Sequence, residues 1–204
     1  MKKMIVVAVL GLIGTQFANA QVKKGNILLG GNVAVSTSSE KVDGVDGKET
    51  STSFGISPKV GYAVSDKWVV GVFANTEFTT DKDRVGAVDV KTKNTSIAPG
   101  IFVRNYHNIG ESKFAFFGEA NVSYAFGQTK VEDTKTNKFN TIDANIVPGI
   151  TYFVTKRFNV EGVFGGINFN NRKDTAEPSG VETTNTSFGL QFTKQFGLGV
   201  NWLF

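Results

Sequence analysis

The chain has 204 residues, with 22 Lys and Arg against 18 Asp and Glu, 23 glycines, 18 phenylalanines and no cysteine. The lack of cysteine excludes a disulfide framework and any thiolate nucleophile or metal ligand. The formal net charge of +4 falls to +2 once the lysines of a cleavable leader are set aside, so charge does not point to nucleic acid as a partner.

The first element in chain order is that leader. Met1-Lys2-Lys3 is basic, Ile5 to Ile13 is apolar apart from Gly11, and Ala18-Asn19-Ala20 has the small-x-small form of a signal peptidase site. This reads as a secretory signal peptide over 1–20, cut between Ala20 and Gln21, with 21–204 as one mature domain. The apolar run is too short to cross a bilayer as a helix.

Beyond it no apolar stretch reaches 18 residues, and the recurring pattern alternates with period two. It predicts strands at 26–38, 51–65, 67–78, 93–106, 112–127, 139–154, 157–169 and 184–204. In the second, Phe54, Ile56, Pro58, Val60 and Tyr62 oppose Ser53, Gly55, Ser57, Lys59 and Gly61. In the fifth, Phe114, Phe116, Ala120, Val122, Tyr124 and Phe126 oppose Glu119, Asn121, Ser123 and Ala125, with Phe117 an apolar exception. The sixth sets Ile142, Ala144, Ile146, Ile150 and Tyr152 against Thr141, Asp143, Asn145 and Thr151. Each strand has one large apolar face and one small or polar face.

The connections alternate in length. Short turns are expected at Ser65–Lys67, Tyr106–Glu111 and Thr155–Arg157, and long polar loops at Ser39–Thr50, Thr79–Thr92, Gln128–Lys138 and Asn170–Thr183. Short turns at one end and long loops at the other fit an up-and-down membrane barrel, all-β with eight antiparallel strands. A weak repeat, Ile56-Ser57-Pro58, Ile97-Ala98-Pro99 and Ile146-Val147-Pro148, puts proline at one level of three hairpins and suggests a ring of bulges. A tight turn at Thr193-Lys194-Gln195 would split the last segment and raise the count to ten. Otherwise Lys194 snorkels at the outer interface.

A soluble eight-stranded barrel would turn its large apolar residues inward. Here the polar face suits a narrow interior, and Phe, Tyr and Ile suit lipid, with every backbone group paired by closure. The inward positions then hold Lys59, Glu77, Arg104, Glu119, Asp143 and Glu161, which must pair because an unpaired buried charge costs several kcal/mol. They read as a salt-bridge plug or as the lining of a gated path for water or small ions. Trp68, Phe158 and Trp202 fit an aromatic girdle beside the short turns.

The last strand alternates Phe196, Leu198, Val200, Trp202 and Phe204, with Leu203 pointing inward. With the leader, polar loops and short turns, this resembles the small bacterial outer-membrane β-barrel domains of the OmpA membrane-domain and OmpX type, over 21–204. The resemblance implies residence in the outer membrane of a Gram-negative cell, among lipid and lipopolysaccharide. It also implies delivery by periplasmic chaperones and insertion by the barrel assembly machinery, with Trp202 and Phe204 as the assembly signal. A monomer without cofactor is expected, with a structural or surface-interaction role through four extracellular loops. A narrow porin-like channel for small solutes is the alternative.

An enzyme is not expected. The single histidine, His107, falls at a short turn, and the acids Asp81, Asp83, Glu132 and Asp133 read as solvated loop carboxylates. Asp81 to Gly86 begins like a calcium loop but has Val85 at a ligand position, and Gly47-Lys48 lacks the earlier glycine of a phosphate loop. Lys82, Lys91, Lys93, Lys130, Lys135, Lys138 and Lys173 could meet lipopolysaccharide phosphates, yet they are interleaved with acids in the sequence.

Overall fold

The computed structural model describes residues 22–40, 47–85 and 88–204, with only the backbone described for 47–48, 84–85, 88–89 and 191–196. The leader and its cleavage pair Ala20–Gln21 lie outside the described residues, as does the Lys194 side chain. The strands are β1 (Ile27–Glu40), β2 (Gly47–Ala63), β3 (Trp68–Val85), β4 (Val88–Asn108), β5 (Phe114–Val131), β6 (Thr134–Phe153), β7 (Phe158–Ala176) and β8 (Glu182–Leu203). They pair antiparallel in chain order and close β8 onto β1 as a barrel.

The two faces follow the alternation of the sequence. Outward residues such as Phe54, Val72, Ile101, Val122, Ile146 and Leu198 are exposed, while Leu28, Val69, Phe102, Phe153 and Leu203 are buried inside. A water-soluble domain does not leave so wide an apolar belt uncovered. The belt starts beside the short turns, so that end, which also holds both ends of the barrel chain, is the periplasmic one by the usual layout of such barrels. Trp68 and Trp202 stand exposed there, and the Phe158 and Trp202 rings are 5.4 Å apart.

The strands run longer than the alternation of large apolar residues. The segments expected as loops at Thr79–Thr92, Gln128–Lys138 and Asn170–Thr183 are largely ladder, with connections reduced to Glu132-Asp133 and a short turn after Ala176. The reason is physical. Beyond the lipid no apolar face is required, so Thr, Lys, Asn and Asp continue a sheet whose register is already set below them. Glu132 and Asp133 take the left-handed conformation of a two-residue hairpin turn, with φ of 48° and 65°. At the periplasmic end β4 continues to Asn108, so Tyr106 and His107 belong to a strand and not to the turn.

The three prolines do interrupt ladders at one level. Pairing skips Ser57 and Pro58 between β2 and β3, Ala98 and Pro99 between β4 and β5, and shifts register at Val147 and Pro148 between β6 and β7. Each gap lies between two strands joined by a short turn, because proline cannot donate to that neighbour. β8 stays one strand, which settles the count at eight, but its register against β7 jumps from Gly166↔Gln191 to Phe164↔Phe196. The bulge falls where a turn was the alternative. The closing seam is short: β1 meets β8 only from Leu28↔Leu203 to Asn32↔Gly199, extended by mutual backbone bonds between Ile27 and Phe204 of 3.1 and 2.9 Å.

Glycine at 71 is required by a close approach. A Cβ there would stand 2.1 Å from the Val60 carbonyl oxygen and 2.6 Å from Phe102 Cε1. The carbonyl is backbone and cannot move aside. Gly71→Val is expected to cost at least about 1–3 kcal/mol by overpacking, read as a lower urea midpoint for the boiling-sensitive gel shift of the folded barrel.

Candidate functional site

The periplasmic half of the lumen is filled. Its floor is an apolar layer of Leu28, Ala63, Val69, Ala115, Phe153 and Leu203. Directly above lies a polar network drawn from six strands. β4 contributes Arg104, only 1% exposed, whose position between β3 and β5 reaches across the barrel. Its Nε donates to Glu119 Oε2 on β5 at 2.8 Å, and its Nη2 forms an ion pair with the same oxygen at 2.6 Å. Its Nη1 and Nη2 donate to Glu161 on β7 at 2.5 and 3.2 Å. Lys59 on β2 donates to Glu119 Oε2 at 2.7 Å. Two cations therefore meet two carboxylates, and the cluster is neutral.

Neighbours extend the network, although Asn159 Nδ2 and Asn201 Oδ1 find no hydrogen-bond partner among the described residues. Arg104 Nη1 donates to the Tyr106 hydroxyl at 3.0 Å, Asn201 Nδ2 to Glu161 Oε2 at 2.8 Å, and Asn121 Nδ2 to Glu119 Oε1 at 3.2 Å. Asn201 and Thr151 both donate to Asn159 Oδ1, at 3.0 and 3.1 Å. The Arg104 guanidinium carbon is 4.1 Å from the Phe117 ring centroid, and Lys59 Nζ is 4.8 Å from that of Phe102. Phe117, the exception to the fifth strand's alternation, thus faces inward and caps the guanidinium. Its ring lies across Gly149, where a Cβ would meet it at 2.2 Å.

Above the plug the lumen widens. A cavity of about 690 Å³ borders Lys59, Glu119 and Glu161 from above together with Asn32, Ser57 and Asn75. Further out, a polar cavity of about 430 Å³ is lined by Glu77, Asn94, Asp143, Asn170 and Arg172. Asp143 accepts from Asn170 at 2.7 Å, and Asp81 from Ser51 at 2.6 Å. Arg172 pairs with Asp174 at 2.9 Å and stacks 3.8 Å from the Phe139 centroid.

The six interior charges read from sequence are thus divided. Lys59, Arg104, Glu119 and Glu161 form one network, while Glu77 and Asp143 line the outer vestibule and take no part in it. Tyr106, Asn159, Asn201 and Arg172 were not singled out, although each lies on an inward position of its strand. The acids Asp81, Asp83, Glu132 and Asp133 do not converge. Asp81 binds Ser51 inside, while Glu132 accepts from the Lys91 amide at 2.6 Å and Asp133 from Lys93 Nζ at 2.5 Å at a strand tip. The bond and charge of Lys93 hold the Asp133 carboxyl below the usual carboxylate range, and Lys138 does the same for Glu177. His107 is exposed at the end of β4.

A closed antiparallel barrel with an apolar outer belt and a charged, hydrogen-bonded interior is a transmembrane β-barrel. The chain belongs to the outer membrane protein beta-barrel domain family, whose sequence profile matches residues 5–204. Its fold is similar to the crystal structure of the outer membrane protein OprG from Pseudomonas aeruginosa, at a TM-score of 0.53 and 17% identity, covering 92% of this chain and 99% of that one. No curated protein sequence matches the chain.

Proposed function

We propose that the protein is a structural and surface-interaction component of the outer membrane, with its barrel closed at the periplasmic end and its outer half offering a polar vestibule and strand tips. The observation that carries this reading is the neutral Lys59–Glu119–Arg104–Glu161 network, in which the last three residues are 6%, 1% and 8% exposed. Burying four charges is tolerable only if they stay paired, so the network resists both water and ion passage. A non-enzymatic role is part of the reading, because the lone histidine stands apart from the vestibule acids. Trp202 and Phe204 are proposed as the assembly signal, in keeping with the way Phe204 helps close the seam on Ile27.

The channel reading draws support from one feature. The cavity above the plug is also lined by Val35 and Leu198, beside the stretch where β1 has no pairing with β8. Planar bilayers separate the two readings. Wild-type protein is expected to show the boiling-sensitive gel shift without discrete current steps, and Lys59→Ala with Arg104→Ala to add conductance, lose stability, or both. Discrete steps from the wild type would favour the channel. A double variant unchanged in conductance and in stability would remove the plug from the account.

A further inference from the structure

Charges on the outer half of the barrel are sorted by face in a way the linear sequence hides. Glu77, Asp81, Asp143 and Asp174 turn into the lumen. The lysines turn out. On each of β3 to β7 the exposed apolar belt ends at one residue, and four residues further along the same face stands a lysine: Phe78 then Lys82, Ile97 then Lys93, Phe126 then Lys130, Ile142 then Lys138, Phe169 then Lys173. Four residues advance about 13 Å along a strand, which at a tilt of about 40° places the lysines about 10 Å beyond the hydrocarbon. That is the level of lipid headgroups.

The arc is crowded with like charge. Lys82 lies directly opposite Lys91, Lys93 opposite Lys130, and Lys130 opposite Lys135. Like charges directly opposite on adjacent strands repel. Acids on the tips relieve part of this: Asp133 pairs with Lys93, Glu177 with Lys135 and Lys138, and Glu182 with Lys173. Among the described residues Lys82, Lys91 and Lys130 make no ion pair. Beneath the arc, on the same five strands, an apolar groove of about 760 Å³ runs obliquely from Val72 through Ile101, Val122 and Ala144 to Phe169. Its upper end is therefore four residues below Lys173.

We propose that this face is a docking surface for lipopolysaccharide, with acyl chains in the groove and the phosphates of its lipid anchor on the lysine arc. Five strands at about 4.8 Å spacing spread the lysines over about 19 Å, too broad for the single phosphodiester of a phospholipid and suited to a glycolipid with several phosphates. The inference rests on the outer-membrane reading but not on whether the lumen conducts.

The test uses folded protein in detergent with three probes: lipopolysaccharide, the same material after enzymatic dephosphorylation, and phosphatidylglycerol. The readouts are the lipid retained on the purified barrel and the temperature at which the gel shift is lost. Wild type is expected to retain lipopolysaccharide at least about tenfold better than either other probe, and to unfold at a higher temperature with it. Lys82→Gln with Lys91→Gln and Lys130→Gln, which leaves in place the ion pairs of Lys93, Lys135, Lys138 and Lys173, is expected to lose about tenfold in retention while keeping its gel shift in detergent alone. Should the triple variant not fold, Lys130→Gln, between two like charges, is read instead, with a loss of several-fold. Equal retention of dephosphorylated lipopolysaccharide, equal retention of phosphatidylglycerol, or a variant that binds as wild type overturns the proposal. None of these outcomes touches the conductance result.

Discussion

Arg104→Met is expected to destabilise the barrel by about 3–5 kcal/mol, the cost of removing one partner from a buried ionic network. Arg104 donates three hydrogen bonds to Glu119 and Glu161 and makes a further ion-pair contact with Glu119, which in its absence keeps Lys59 as its cation. Among the described residues Glu161 would then retain the Asn201 amide as its hydrogen-bond donor. Equilibrium unfolding in urea, followed by the gel shift in lipid vesicles, measures the loss. The combined variant Arg104→Met and Glu161→Gln is expected to recover most of it, since Lys59 and Glu119 then remain as a neutral pair and an amide carries a far smaller burial cost than a bare carboxylate. A wild-type midpoint for Arg104→Met would mean that the network contributes nothing to holding the lumen shut.

The second large effect belongs to the outer face. Val122 lies on the lipid side of β5, between Phe116 and Lys130, and neighbours Ile101 and Ala144 across its two ladders. Val122→Arg is expected to cost about 2–4 kcal/mol in a bilayer, the depth-dependent cost of a cation near the midplane of a barrel. At a water-facing position the same change would fall within about 0.5 kcal/mol. Lys130, on the same face of the same strand, is native because it lies beyond the apolar belt. Unfolding measured in phospholipid vesicles decides between these, and a change below about 0.5 kcal/mol would argue that Val122 does not face lipid.

Much of this architecture was legible residue by residue. Alternation assigned Phe54, Val60 and Tyr62 to one face and Lys59 to the other, because a strand projects successive side chains to opposite sides. The same parity placed Arg104, Glu119 and Glu161 inside. Strand ends were misread where the belt stops: Thr79 to Val85 and Asn170 to Ala176 look like loop composition, yet a sheet already in register carries them on. Tyr106 was placed at the boundary between the fourth strand and a short turn, with β4 in fact running on to Asn108. The Tyr106 hydroxyl serves Arg104.

By itself the sequence determined the class of structure. Period two with one large apolar face per strand points to a closed barrel, the strand arrangement that pairs every backbone group in lipid. It also determined which residues face inward, since parity is local. Only the tertiary structure decided which of those residues meet. Lys59, Arg104, Glu119 and Glu161 come from four strands whose relative heights depend on the ladder registers, and these place Glu77 and Asp143 higher in the lumen. Those registers likewise brought the outward lysines of β3 to β7 into one arc. Interleaved charges in a chain become separated charges on a barrel because adjacent residues of a strand never share a face.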